Sequence, residues 1–351
     1  MHRENVIGTG GRGGRGGGNG RSTWRRLAGG EVSWETLRAR ARIIDRARDF
    51  FRRRGFLEVD PPIALPYPNI DPNVYPVRIS DADGRPAGLY LHTSPELSMK
   101  KLLAAGSGNI FYLGKVFRDR EGSPIHNPEF TMLEWYRVGE GADAVMRDVE
   151  ELAAELAREA TGEAAVVRGG KPVPLPDRWR RWELSDAFRD LLGARPSDPE
   201  ALRAALERRG SRPGRDETWD DLFFRAYIDV IEPALAGAEA CFLTGFPSPL
   251  AAMAKRREGD PGLSERFEGY VAGIELVNGY EELTDPREQE ERLRELAARH
   301  GRGAEAELPV DPELLDALRL GLPPCSGAAL GVDRLVMLLL GKDSIADAAI
   351  L

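Results

Sequence analysis

Cysteine is scarce. The 351 residues contain two, Cys241 and Cys325, with no CxxC pair and no Cys/His cluster beside either. That argues against structural zinc and fits a reducing, cytoplasmic compartment. Long apolar runs are also missing. The longest, such as Leu335 to Leu340, fall far short of the roughly 20 residues a bilayer span needs, so no membrane is expected as a partner. The N-terminus has arginines and glycines but no apolar h-region, which excludes a secretory signal. No internal repeat is present.

What remains is a globular composition, 42% hydrophobic and 30% charged, long enough for one large domain or two small ones. The net charge of −8 hides an asymmetry: residues 1–54 carry +9 and the rest −17. Such a basic arm could attract an acidic partner, or be a solvated tail followed by an arginine-rich helix face. Residues 1–22 are glycine-rich and nearly free of apolar groups, so they cannot offset their chain entropy and are expected to be disordered. The expected organisation is a Gly/Arg-rich tail over 1–32 and one folded domain over 33–351.

Ser33 is placed to cap a helix running to about Arg54, with Trp34, Leu37, Ala41, Ile44 and Phe51 near one face and Gly55 ending it. Short strands are expected at Phe56–Val59 and Leu89–His92, with a helix starting at Pro95. Phe111–Phe117 and Phe130–Arg137 read as a long-looped antiparallel hairpin. Helices follow near 143–160, 183–192, 198–209 (capped by Ser197 with Glu200) and 217–233. Cys241–Thr244 and Phe267–Val277 read as strands, with a turn at Asn278-Gly279. Two further helices, 285–300 and 311–320, precede an apolar one ending near Leu340. Hairpins come early and helices late, which predicts an α+β fold with an antiparallel sheet.

Four segments are polar where a core strand should not be: Thr93-Ser94-Pro95-Glu96; Arg118-Asp119-Arg120-Glu121 with His126 to Thr131; Gly273 to Leu283; and Gly327 to Leu335. Glu275 between Ile274 and Leu276 needs a metal or a basic ligand if buried, and needs nothing on an exposed edge. Glu282 offers a second carboxylate, and two carboxylates with phosphate oxygens suit magnesium. Arg118 and Arg334 are planar, permanently charged groups that suit an α-phosphate and a departing pyrophosphate. Gly327 and Gly331 would let backbone approach a nucleotide, and Phe130 offers a flat face for adenine.

Together and in this order the segments resemble the catalytic core of class II aminoacyl-tRNA synthetases, an antiparallel sheet flanked by helices. The unit from Arg40 to Pro62 resembles motif 1, the hairpin around Arg118 and Phe130 motif 2, and Gly331 to Leu335 motif 3. HNPEFTMLEWY and ELVNGYEEL are similar to the lysyl branch. Within it, the likeness is to short paralogues that modify elongation factor P. A lysyl-tRNA synthetase carries an anticodon-binding barrel of on the order of 100 residues, whereas 33 residues precede this core, so tRNA is not the expected acceptor. Ser94 and Ala329 stand where the synthetases have alanine and glycine, which implies a lysine isomer such as (R)-β-lysine, or lysine itself.

The resemblance implies ATP as a substrate, magnesium, and a homodimer built on the motif 1 unit. It implies Glu96 on an amino group of the substrate, Ser94 and Pro95 lining the pocket, and Tyr136, Asn278 and Glu282 completing recognition. Arg118 and Arg334 would be the catalytic pair on the phosphates. Asn127 and Phe130 would hold adenine, with Arg334 on its other face. Leu276 and Gly331 would lend backbone to the nucleotide site, and Glu275, shared with Glu282, would bind magnesium. One departure is visible: Arg120 stands where the branch usually has glutamate, and Glu121 follows it.

Overall fold

The computed structural model describes residues 22–71, 74–237, 240–251, 253–300 and 308–350. The disorder expected of residues 1–21 lies outside them. The tail nevertheless ends earlier than expected. Thr23–Ala28 forms helix α1, and its Arg26 donates to Ala346 O at 2.7 Å and pairs with Asp347. Thr23 and Val32 are buried, so residues 22–32 belong to the folded body.

Helix α2, Trp34–Arg52, starts where Ser33 Oγ accepts from Thr36 N at 3.1 Å. Its buried face is Thr36, Ile43, Ala47, Phe50 and Phe51. Trp34 is 61% exposed and Ala41 faces solvent, against the expected face. The stripe is set by the two adjacent phenylalanines, whose rings stack into the core; Phe51 alone meets Phe56, Phe111 and Trp135 at centroid distances of 5.1–5.2 Å.

Among the described residues one nine-stranded sheet organises the chain. Its strands are β1 (Leu57–Glu58), β2 (Ile110–Phe117), β3 (Glu129–Val138), β4 (Arg180–Glu183), β5 (Ala240–Pro247), β6 (Arg256–Arg257), β7 (Asp260–Val271), β8 (Ile274–Glu281) and β9 (Cys325–Gly331). They run in the order β1-β2-β3-β9-β8-β7-β5-β4, with β6 on β7. Pairing is antiparallel except at the two ends, where β1 joins β2 and β4 joins β5 in parallel. The expected long hairpin is β2–β3, from Ile110↔Tyr136 to Phe117↔Glu129.

The segment expected as one strand over 267–277 is two, joined by a tight turn at Ala272 (φ 50°) and Gly273 (φ 75°). Asn278 and Gly279 do not turn; they sit inside β8. A Cβ at Gly279 would lie 2.5 Å from the Phe267 ring, so the glycine serves packing. The cap of helix Pro199–Arg208 is also one residue later than expected: Asp198 accepts from Ala201 N at 2.9 Å.

Alternation divides the sheet into two chemistries. One face carries Phe111, Leu113, Leu133, Trp135, Phe267, Val277, Ala328 and Leu330. They pack against α2, helix α4 (Ala142–Thr161) and helix α5 (Val332–Leu339) as the main core. The other face carries Glu134, Tyr136, Glu268, Tyr270, Glu275, Asn278 and Tyr280. Helix α3 (Glu96–Ala104) and helix Pro312–Gly321 cover the end of this face that carries Tyr136 and Tyr280. A second apolar cluster joins the helices of residues 184–235 to β5.

Candidate functional site

A cavity of about 420 Å³ opens on the polar face of the sheet. Twelve of the thirteen expected site residues line it: Ser94, Glu96, Arg118, Asn127, Phe130, Tyr136, Glu275, Leu276, Asn278, Glu282, Gly331 and Arg334. Pro95 does not; it occupies the N-cap of α3 and sets the turn that aims Ser94 and Glu96.

A register shift brings the two ends of the cavity onto one face. Between β7 and β8, Gly269 pairs with Val277 and Tyr270 with Glu275, which leaves Leu276 as an extra residue. Strict alternation would put Glu275 and Asn278 on opposite faces. The bulge puts both beside Glu268 and Tyr270 instead.

The end of the cavity lined by Arg118 and Arg334 is cationic. Arg118 Nε donates to Thr93 O at 3.3 Å, and its guanidinium lies 5.1 Å from the Phe130 ring centroid. Burial pulls Arg118 below the usual arginine range, while Asp71, Glu121 and Glu275 oppose that. Arg334 Nη1 donates to Glu275 O at 2.8 Å and lies 3.4 Å from Glu275 Oε2; its Nη2 contacts His126 Nε2. Asn127 Nδ2 donates to Glu129 O at 2.7 Å, which holds the loop over the cavity. A Cβ at Gly331 would make only ordinary contacts, the nearest at 3.7 Å to the Arg334 stem, so packing does not demand a glycine there. A Cβ at Gly327 would strike the Tyr136 ring at 2.5 Å, so that glycine accommodates a tyrosine, not a nucleotide.

The other end is anionic and buried. Ser94 Oγ donates to Glu134 Oε2 at 2.6 Å and Tyr136 OH to Glu134 Oε1 at 2.8 Å. Burial and the neighbouring Glu96 push the Glu134 carboxyl up to about 8. Lys100 Nζ, from α3, lies 2.7 Å from Glu96 Oε1 and 2.6 Å from Glu282 Oε2. Burial pushes Glu282 up to about 8 although Lys100 opposes it. Neither Glu282 oxygen has a hydrogen-bond partner of good geometry; Oε2 has the ion-pair contact with Lys100 and Oε1 is buried without one. An unsatisfied buried carboxylate oxygen facing a cavity is suited to an ammonium group.

The expected sharing of magnesium by Glu275 and Glu282 does not hold. Glu282 lies at the far end of β8, about 20 Å of extended chain from Glu275, and it is paired with Lys100. The carboxylate beside Glu275 is Glu268, whose carboxyl is raised by burial and by the Glu275 charge, with Arg266 opposing. Glu268 accepts from Tyr227 OH at 2.6 Å, Tyr270 OH at 2.7 Å and Arg266 Nη2 at 2.6 Å. Two carboxylates beside a cationic phosphate pocket fit the usual way magnesium is held with substrate oxygens. Among the described residues no group of three or more His, Cys, Asp or Glu could hold a metal by itself.

Sequence reasoning missed Glu268, Arg266, Asp71, Glu134, Tyr280 and Lys100. The signal for Glu268 was present: like Glu275, it is a carboxylate flanked by Phe267 and an apolar strand. The departure at motif 2 is also resolved. Arg120 takes φ 63° and its guanidinium lies 3.9 Å from the Tyr75 ring centroid, while Glu121 lines the cavity.

The arrangement can bind a triphosphate at one end and a cationic carboxylic acid at the other, and bring the two together. The comparisons agree. A family model of class II tRNA synthetases (D, K and N) matches residues 22–351. The elongation factor P–(R)-β-lysine ligase of Vibrio cholerae is 37% identical over 321 residues, 90% of this chain and 94% of that one. A homolog of that ligase from Aquifex aeolicus is 37% identical over 304 residues, 86% and 94% of the two chains. The lysine–tRNA ligase of Chloroflexus aurantiacus is 33% identical over 317 residues, 89% of this chain but 64% of the longer enzyme. Fold, cavity and matches lead to one assignment: the chain belongs to the class II tRNA synthetases of the D, K and N group.

Proposed function

We propose that the protein uses ATP to activate lysine or (R)-β-lysine as an aminoacyl-adenylate and transfers the aminoacyl group to a lysine side chain of elongation factor P. The observation that carries this is the single cavity with Arg118 and Arg334 at one end and Glu96, Glu134 and Glu282 at the other. The ligase names borne by the relatives in Vibrio cholerae and Aquifex aeolicus point to the same acceptor.

In the first step a substrate carboxylate oxygen attacks the α-phosphorus of ATP and pyrophosphate leaves. Arg118 and Arg334 face the phosphates and stabilise the charge that develops there. Magnesium, when bound, neutralises the phosphates, and Glu275 with Glu268 would hold it. In the second step the ε-amine of the acceptor attacks the activated carbonyl and AMP leaves. No protein nucleophile is needed; binding and charge placement carry the chemistry.

Two further readings belong here. A homodimer is proposed from the Arg40–Pro62 unit, in which Leu57 is exposed and beside which Trp34 and Ile63 leave further apolar surface exposed. A cytoplasmic location is proposed from the two buried free cysteines. The test is to incubate enzyme, ATP, magnesium, either lysine isomer and elongation factor P, and weigh the factor. A mass gain of one aminoacyl group is expected. Lysine-dependent pyrophosphate exchange without a gain on the factor, together with charging of tRNA, would move the acceptor to tRNA.

A further inference from the structure

Lys100 is a fully buried cation set against a site for a cationic substrate. Its relative exposure is 2%. Its Nζ lies 2.7 Å from Glu96 Oε1, 2.6 Å from Glu282 Oε2 and 3.0 Å from Met253 Sδ, and 5.5 Å from the Tyr280 ring centroid. These contacts occupy its three donors, and Lys100 does not line the cavity. It has nothing left to offer a ligand directly. It acts on the two carboxylates that do line it.

We propose that Lys100 is a positioning residue for the amino-acid substrate, a fixed internal ammonium that clamps Glu96 and Glu282 in place and presents Glu282 Oε1 to the substrate's ammonium group. The reasoning is electrostatic. Glu96, Glu134 and Glu282 share one desolvated pocket, and buried like charges cannot all ionise without a counter-cation. Burial alone already pushes Glu134 and Glu282 upward. Lys100 is held charged in spite of its own burial, by Glu282 and then Glu96. Asp71 and Cys325 also feel its charge, and Tyr280 donates to Glu96 from the same side. By taking Glu282 Oε2, Lys100 leaves Oε1 as the buried oxygen without a partner. By its i,i+4 spacing from Glu96 on α3 it also ties that carboxylate to the helix.

A cation here would be expected to repel a cationic substrate. The geometry favours the opposite outcome, since two carboxyl groups close on one ammonium from the same pocket and Lys100 opposes the effect of burial on Glu282.

This inference rests on the lysine reading above, and the two can fail separately. Absence of lysine-dependent pyrophosphate exchange in the unaltered enzyme would sink the reading. For the inference, exchange is measured in K100M and K100R with lysine and ATP varied independently. In K100M the KM for lysine should rise on the order of tenfold or more, with KM for ATP and kcat at saturation changed less than about threefold. K100R should recover part of the loss. In K100M/E282Q the defect should be no larger than in E282Q, because both changes remove one function. A folded K100M with unchanged KM for lysine would overturn the proposal. So would parallel changes in both KM values, or K100R no better than K100M. If K100M does not fold, K100R and K100Q carry the same comparison, and wild-type lysine KM in both would overturn it.

Discussion

Arg40 Nη2 lies 2.5 Å from Asp333 Oδ1, and both side chains are nearly buried. The same Nη2 donates to Thr131 Oγ1 at 3.0 Å, and Asp333 Oδ2 accepts from Thr131 N at 2.8 Å. One ion pair therefore ties α2, the long hairpin and the start of α5, which supply the three sequence motifs. Removing one partner strands the other charge in the interior. Arg40→Met or Asp333→Ala should each cost about 3–5 kcal/mol, measured by urea or thermal unfolding. The double variant should cost less than the two losses added.

Glu121, not Arg120, faces the nucleotide end. Arg120 is held in the left-handed region over Tyr75. Glu121→Gln should raise the KM for ATP by several-fold to tenfold and leave the KM for lysine within about twofold. Arg120→Gly relieves the backbone strain and should leave both KM values near the parent's. Independent variation of the two substrates in pyrophosphate exchange distinguishes the variants.

Glu268 and Glu275 form the acidic pair on the β7–β8 hairpin. Glu268→Gln should shift the magnesium concentration giving half-maximal activity upward by on the order of tenfold, with Tyr227 and Tyr270 still able to hold the amide. A magnesium titration of activity and of nucleotide binding checks it. Glu282→Gln should leave the magnesium requirement unchanged and damage lysine affinity instead.

Buried Glu134 makes stability fall with pH. Glu134 is pushed up to about 8 from an ordinary value of 4.5, first by burial and then by the neighbouring Glu96. Between those values the folded chain keeps protons that the unfolded chain has lost, so raising the pH favours unfolding. The Tm without substrate should decline from pH 5 to pH 8, and Glu134→Gln should flatten the slope. Calorimetry across that range gives the sign directly.

Much of this architecture could be read from the residues. The hairpin around Arg118 and Phe130 was legible because its two apolar strands frame a loop dense in charge. Glu275, Arg118 and Arg334 were legible because each sits where an apolar core would exclude it. What sequence alone could not supply was register. Asn278-Gly279 carries the local chemistry of a turn, yet Phe267 across the strand requires a glycine there, and the chain turns at Ala272-Gly273. The Leu276 bulge is equally silent in sequence, so Glu275 was paired with Glu282 instead of Glu268. Lys100 escaped notice because a lysine on an amphipathic helix ordinarily points to water; only the fold shows two carboxylates closing over it.

The extra residue at Leu276 makes β8 a ruler with one notch displaced. Were the bulge flattened and Leu276 taken into the ladder, Glu275 would swing into the hydrophobic layer among Val277 and Leu330 while Asn278, Tyr280 and Glu282 kept their places. The two halves of the cavity are therefore coupled by one irregularity in the ladder, without which the cationic end would lose the carboxylate that Arg334 holds.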